Sequence, residues 1–206
     1  VPLRKTMIAP NFLSQELDPG PPPEIPRSGC LFVGRLSEEK GIRRLLEDWP
    51  DEEPLRIVGD GPQRAALQAA AALRPNVTVV GPLPRSAVID AMRSHRRLVF
   101  PSQWLEGFPL VYPEALACGL GVFAFRPSAL ADLASRDNTG TATSWNEHWP
   151  DLLKATLSLN DPSPAYCRDV FEQRYSEASF HRRLTALVDS LYRAQREQAH
   201  DPRGHG

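Results

Sequence analysis

Residues 55–84 read LRIVGDGPQRAALQAAAALRPNVTVVGPLP, and this stretch decides the fold. LRIV and VTVV are short apolar runs rich in strand formers, each leaving through glycine, and they flank a helical run with Pro62 near its first turn. The same alternation extends outward. CLFVG (30–34) precedes the helical spacing of EEKGIRRLLEDW (38–49), and PRSAVIDAMRSH (84–95) leads to RLVFPS (97–102). A helix from roughly Leu110 to Cys118, GVFAF (121–125) and SALADLAS (128–135) complete the pattern. The strands are continuous apolar runs, which implies burial on both faces of a parallel sheet covered by helices. Regular strand–helix alternation predicts a doubly wound, Rossmann-like α/β domain. After Thr139 the alternation fades into helical segments. The last of them carries Phe180, Leu184, Leu187, Val188 and Leu191 on one face.

The 206 residues suit one domain or one and a half. DPGPPPEIPRSG (18–29) holds five prolines in twelve residues, too many for a helix or a central strand. Residues 1–29 therefore read as an interdomain segment and extended linker, with a short strand near Thr6–Ala9. Residues 30–198 read as the domain, and 199–206 as a disordered tail. A formal net charge of −1 gives no reason to expect nucleic acid or an anionic membrane as partner. Cys30, Cys118 and Cys167 lack metal-ligand spacing and any paired pattern, and Cys30 and Cys118, in apolar runs, read as buried thiols, which favours a reducing compartment. No apolar run approaches a membrane span.

Ligands of an open parallel sheet bind beyond the carboxyl ends of its strands. The first exit, GRLSEEKG (34–41), offers Gly34, where a ligand can approach the backbone, with Arg35 and Lys40 as two cations. The second exit is the tight turn GDGP around Gly61, and the third is GPLP around Leu83. The fourth contains EGFPLVYPE (106–114), with Glu106 and Glu114 eight positions apart. Pro109 and Pro113 fit the first turn of a helix beginning near Leu110. Free amides at Leu110, Val111 and Tyr112 then make an anion site at the positive end of the helix dipole. A carboxylate beside phosphate is costly unless it binds hydroxyls or stabilises positive charge. The pair thus suggests a ligand with a central diphosphate and hydroxylated rings on both sides. Trp104 and Phe108 read as packing or lid aromatics, and the basic cluster RSHRR (93–97) as a helix end complementing the dipole.

In this order, GRLSEEKG, GDGP, VTVVGPLP and FPSQWLEGFPLVYPEALACG resemble the C-terminal, nucleotide-sugar-binding half of retaining GT-B glycosyltransferases. They are similar above all to the bacterial "group 1", E-x7-E branch that builds lipopolysaccharide, capsule and related glycoconjugates. By that resemblance Arg35 and Lys40 hold the donor pyrophosphate and stabilise the leaving nucleoside diphosphate, helped by amides around Leu110 and Val111, with Gly34, Gly61, Gly107 and Phe108 as further donor-binding residues. Glu114 binds ribose hydroxyls, Glu106 faces the transferred sugar, and the base lies near Leu83. The resemblance implies catalysis by Glu106, Arg35 and Lys40 without a metal or other cofactor. RPSALADLAS departs from the family pattern, which leaves contacts at Arg126 and Asp132 open. It also implies that the chain is the C-terminal domain of a longer cytoplasmic enzyme. An N-terminal domain would supply the glycan or lipid-linked acceptor site and any peripheral association with the plasma membrane, and this chain alone would bind nucleotide without catalysing transfer. A nucleotide-binding or interaction module that has kept the fold but not the catalysis is the alternative. The dinucleotide fingerprint G-x-G-x-x-G is absent after the first strand, which disfavours an epimerase.

Overall fold

The computed structural model describes residues 10–146, 148–158 and 161–199. The strand expected near Thr6–Ala9 and the tail from residue 200 lie outside the described residues. Six strands alternate with helices: β1 (Cys30–Val33), α1 (Ile42–Glu47), β2 (Leu55–Val58), α2 (Arg64–Ala71), β3 (Val77–Val80), α3 (Arg85–Ser94), β4 (Arg97–Phe100), α4 (Val111–Ala117), β5 (Gly121–Arg126), α5 (Ala129–Asp137) and β6 (Gly140–Ser144). Three helices follow: α6 (Trp149–Ser158), α7 (Pro164–Arg174) and α8 (Glu177–Ala199). Every neighbouring pair of strands is parallel, in the order β3-β2-β1-β4-β5-β6. This is the doubly wound Rossmann-like arrangement, and strand order reverses between β1 and β4, where such sheets bind ligands.

Strand side chains alternate between two cores. Leu31, Val58, Leu98, Phe100, Val122 and Ala124 face α3, α4, α5 and α7. Cys30, Phe32, Ile57, Val99, Phe123 and Phe125 face α1, α2 and Trp149 of α6. Burial on both faces is what the continuous apolar runs imply. The three cysteines are free and buried. Burial pushes the Cys118 thiol up to about 11 and that of Cys167 up to about 12, so neither is a ready nucleophile.

Four expectations need revision. The helix expected over residues 38–49 is broken at Gly41 into a 3-10 turn, Glu38–Lys40, and α1. The sixth strand was absent from the sequence reading, because Gly140–Ser144 carries no large apolar residue and only Thr143 is buried. It pairs with β5 along its outer edge from Val122 to Arg126. The cluster at 93–97 does more than complement a dipole. Arg93 donates to the carbonyl of Pro19 (2.6 Å), while Arg96 (3.1 Å) and the buried Arg97 both pair with Asp161. At the C-terminus, α8 extends through Ala199, where the tail was expected to begin. Among the described residues, no helix is long and apolar enough to cross a membrane.

The proline-rich segment lies as a strap on the domain. Leu13 is buried, and its amide donates to the Tyr175 carbonyl (2.9 Å). Phe12 stacks on Phe180, with ring centroids 4.5 Å apart. Arg27 donates to the carbonyls of Cys118 and Gly119, both at 2.9 Å. Asp18 accepts both terminal nitrogens of Arg168 of α7, at 2.5 and 2.8 Å. Burial pushes the Asp18 carboxyl up. The Arg168 side chain, the Gly20 amide and the charge of Arg93 outweigh it and hold the carboxyl below its ordinary 3.8.

A carboxylate depressed in the folded state stabilises fully above its unfolded pKa and loses that contribution as pH falls through the folded value. Asp18→Asn is therefore expected to cost about 1.5–3 kcal/mol near neutrality, the range for a charge-assisted hydrogen bond. Urea unfolding at stepped pH should show the gap between wild type and mutant closing as pH drops below 3.8. A gap unchanged across that range would place the stabilisation elsewhere.

Candidate functional site

The site is built from the strand exits at the switch point. β1 leaves through Gly34 and Arg35 into the Glu38–Lys40 turn, which ends on Gly41 at φ 69°. A Cβ at Gly41 would lie 2.1 Å from the Pro101 carbonyl oxygen, so only glycine allows this approach. The turn is thereby docked on the exit of β4. The Gln103 amide donates to the Glu39 carbonyl (2.9 Å), and the Ser102 hydroxyl reaches the same oxygen at 3.4 Å. Docking brings Lys40 Nζ to 2.7 Å from Glu106 Oε1, which also accepts from Ser102 Oγ at 2.6 Å. Both side chains are about four-fifths buried, at 21% and 22% exposure. Glu106 Oε2 makes no hydrogen bond among the described residues. Arg35 is exposed and has no hydrogen bond or ion pair among them.

The exits of β1 and β2 are also packed together. Gly61 stands at φ 155°, and a Cβ there would lie 2.5 Å from the Leu36 carbonyl oxygen. Leu36 N donates to the Asp60 carbonyl (2.8 Å). Backbone packing thus already demands glycine at position 61. Leu83, at the β3 exit, is half-buried against the core.

Helix α4 differs from expectation at one amide. Tyr112 N donates to the Pro109 carbonyl (3.1 Å), so it is not available to an anion. The amides of Leu110 and Val111 have no acceptor among the described residues. Gly107 is exposed in the open exit loop, and the Phe108 ring tilts against Tyr175 with centroids 5.9 Å apart. Trp104 is exposed. Glu114, one turn into the helix, does not share the Lys40 cluster. It pairs with Arg85 at the start of α3, 2.8 Å away, and Arg85 also donates to the Leu17 carbonyl of the strap (2.7 Å).

Glu106 and Glu114 therefore sit at one end of the sheet with separate cationic partners. Ser102, Gly41 and Arg85 were missed from sequence. The two polar side chains carry no motif of their own, and Gly41 reads simply as a break in a helical run. Arg126 and Asp132 pair with each other across the start of α5. A cleft of about 550 Å³ runs between Gly107 and Phe108 on one side and Ala129, Leu133 and Arg136 of α5 on the other. Among the described residues, no three His, Cys, Asp or Glu side chains converge as metal ligands.

The family model for "Glycosyl transferases group 1" matches residues 27–160, which contain all these exits. The chain belongs to the group 1 glycosyltransferases. It is 29% identical over 188 residues to a D-inositol 3-phosphate glycosyltransferase of Mycobacterium avium, covering 85% of this chain and 44% of that one. It is 36% identical over 110 residues to a GDP-mannose-dependent alpha-mannosyltransferase of Mycolicibacterium smegmatis, covering 53% and 28%. Against the solved structure of AviGT4, a glycosyltransferase of avilamycin A biosynthesis, the TM-score is 0.74 at 17% identity, covering 87% of this chain and 56% of that one. Anabaena HepE in complex with UDP-glucose gives 0.64 at 19%, covering 80% and 49%. These structural likenesses show the fold, one Rossmann-like half of a GT-B arrangement. The chain spans less than half the length of the curated relatives it matches.

Two glycines of this group 1 domain should respond differently to a methyl group. Gly41→Ala meets a backbone oxygen and places a side chain in the left-handed region, so a loss of about 1–3 kcal/mol is expected from strain alone. Gly107 has nothing within 4 Å of its Cβ position, and Gly107→Ala should stay within about 0.5 kcal/mol. Thermal melts of both variants test the docking of the two loops. Equal tolerance would mean that the Lys40 turn does not need its contact with Pro101.

Proposed function

We propose that this chain is the donor-binding half of a retaining glycosyltransferase that takes a sugar from a nucleoside-diphosphate sugar. The observation that carries the reading is the pairing of Lys40 with Glu106 across the β1–β4 switch point. A cation and a carboxylate are held where a ligand would cross the sheet. Arg35, exposed and unpaired among the described residues, supplies a second positive group in the same loop. The HepE structures hold UDP or UDP-glucose in a protein of this fold, which supports a nucleotide sugar as donor.

As the glycosidic bond to the diphosphate breaks, negative charge builds on the leaving oxygens and positive charge on the anomeric carbon. Arg35 and Lys40 stabilise the former, with the Leu110 and Val111 amides adding to them. Glu106, already oriented by Lys40 and Ser102, turns its free Oε2 toward the latter. Glu114 accepts the ribose hydroxyls, and the base lies toward Leu83. The acceptor is a glycan or lipid-linked acceptor, in lipopolysaccharide, capsule or related glycoconjugate synthesis at the cytoplasmic face of the membrane. It is held by an N-terminal partner domain across the cleft.

Calorimetric titration of the 206-residue chain with UDP, GDP and ADP is the primary test. At least one should bind, and Arg35→Ala should weaken it about tenfold, the worth of one charge-assisted phosphate contact. Glu114→Gln should weaken nucleotide binding. Glu106→Gln should spare binding and lower turnover in an enzyme that also holds the acceptor. Absence of binding by all three nucleotides would refute the donor site.

A second expectation concerns catalysis. Positioning two reactants can contribute about 7–11 kcal/mol to lowering a barrier, and this domain offers only the donor's wall. Incubated with labelled nucleotide sugars and lipid-linked or soluble acceptors, the chain alone should form no transfer product. Robust product would show that the acceptor site is already complete within it.

A further inference from the structure

We propose that Arg85 is a positioning residue of the donor site, which holds the Glu114 carboxylate in the orientation that selects a ribose; this rests on the donor-site reading above. The guanidinium is held at both ends. One terminal nitrogen donates to Glu114 Oε1 at 2.8 Å and the other to the Leu17 carbonyl at 2.7 Å. Leu17 itself belongs to a short 3-10 turn of the strap, whose first amide donates to Glu177 Oε2 at 2.7 Å. The planar fork thus ties a side chain of α4 to a fixed point on the strap, a geometry that lysine cannot reproduce with both contacts.

The placement is costly by itself. Arg85 is the first residue of α3, with no acidic residue in that helix's first turn, so its charge opposes the helix dipole. An arginine there is compensated by the Glu114 pair rather than by its own helix.

The pair answers two needs of the site. A diphosphate approaching two bare carboxylates would be repelled, and Glu114 is neutralised by Arg85 as Glu106 is by Lys40. A carboxylate that reads vicinal hydroxyls must also present its lone pairs in a fixed direction. With Oε1 held by Arg85, Oε2 is left for a hydroxyl, and Oε1 keeps a second lone pair for its neighbour. Selection of a ribose over a 2′-deoxyribose then depends on Arg85, although Arg85 need not touch the nucleotide.

The test uses whichever of UDP, GDP and ADP binds the wild-type chain tightest, together with its 2′-deoxy and 3′-deoxy counterparts, by calorimetry. Wild type should prefer the ribonucleotide. Arg85→Ala should lower the ribo-to-deoxy affinity ratio by about threefold, in keeping with a half-exposed ion pair. Arg85→Lys should recover part of the ratio. Glu114→Gln should abolish it, and adding Arg85→Ala to Glu114→Gln should lower it no further. A role in folding alone would weaken ribo and deoxy ligands equally and leave the ratio unchanged, which would overturn the proposal. Should Arg85→Ala not fold, Arg85→Gln and Arg85→Lys carry the same comparison. A wild type that binds nucleotide without preferring ribose would refute the assignment of Glu114 and Arg85 but not the donor site. A wild type that binds no nucleoside diphosphate would refute the donor site itself.

Discussion

A backbone carbonyl oxygen, that of Pro101, lies 2.1 Å from where residue 41 would carry a β-carbon, and the geometry of the candidate site depends on that approach. Gly41 has three consequences at once. Its left-handed conformation ends the Glu38–Lys40 turn, its missing side chain admits the β4 exit, and its carbonyl accepts from Leu45 N (2.9 Å) to open α1. The Trp145 ring lies 3.2 Å from the same vacant position, so the exit of β6 closes on it as well. Three strand ends meet over one residue without a side chain. The 2.7 Å contact between Lys40 and Glu106 follows from that meeting rather than from the reach of a long, flexible lysine.

The electrostatics follow from the same economy of space. Two carboxylates close together at one end of the sheet would repel any anionic ligand if they stood alone. Each instead has a cation of its own, from a different element: Lys40 from the β1 exit, Arg85 from the start of α3. Arg35 is exposed and makes no hydrogen bond or close ion pair among the described residues, although its charge is felt by Glu39 in the same loop. The sequence pattern shows two acids and two cations near the sheet's end, but pairing by proximity in sequence would miss Arg85. The acids retain their acceptor chemistry for hydroxyls while much of their charge is already answered.

The six-strand architecture was legible to the extent that burial was. β1, β2, β4 and β5 announce themselves because both faces are covered, which favours continuous apolar runs such as CLFV and GVFAF, while the edge strand β3 is readable from its β-branched run VTVV although only Val77 of it is buried. β6 did not, because an edge strand of glycine, alanine, threonine and serine has no such demand upon it. Gly140 is there for another reason: a Cβ would lie 1.9 Å from the Val122 carbonyl oxygen. The strap was hidden for a related cause. Proline content reports an extended backbone, and nothing in it reports that Asp18 will meet Arg168, 150 positions away. Of the candidate site, the residues tied to a motif, Lys40, Glu106 and Glu114, could be picked out in the sequence, and the structure sets all three at one end of the sheet. Arg85, whose partner Glu114 lies 29 positions away, and Ser102, whose hydroxyl donates to Glu106 four positions on, were not, because a polar residue beside proline or at a strand end is most often solvated.

Helix α4 poses a remaining physical problem, since seven residues with Pro113 among them do not make a stable helix alone. Its orientation is set from behind. The Tyr112 hydroxyl donates to the buried carboxylate of Asp137 at 3.0 Å and lies 2.7 Å from Thr139 Oγ1. Asp137 also accepts from the Tyr175 hydroxyl, Arg136 (2.9 Å) and Arg174 (2.9 Å). Burial raises both phenol pKa values well above their usual range, so both hydroxyls remain donors. A buried carboxylate is costly unless its lone pairs are filled, and here donors come from three helices, α4, α5 and α7. The anchoring of α4 is thus separate from the Glu114–Arg85 pair at its front. Tyr112 thus holds the helix on the domain from behind, whatever hydrogen bonds the Glu114 carboxylate makes at the front.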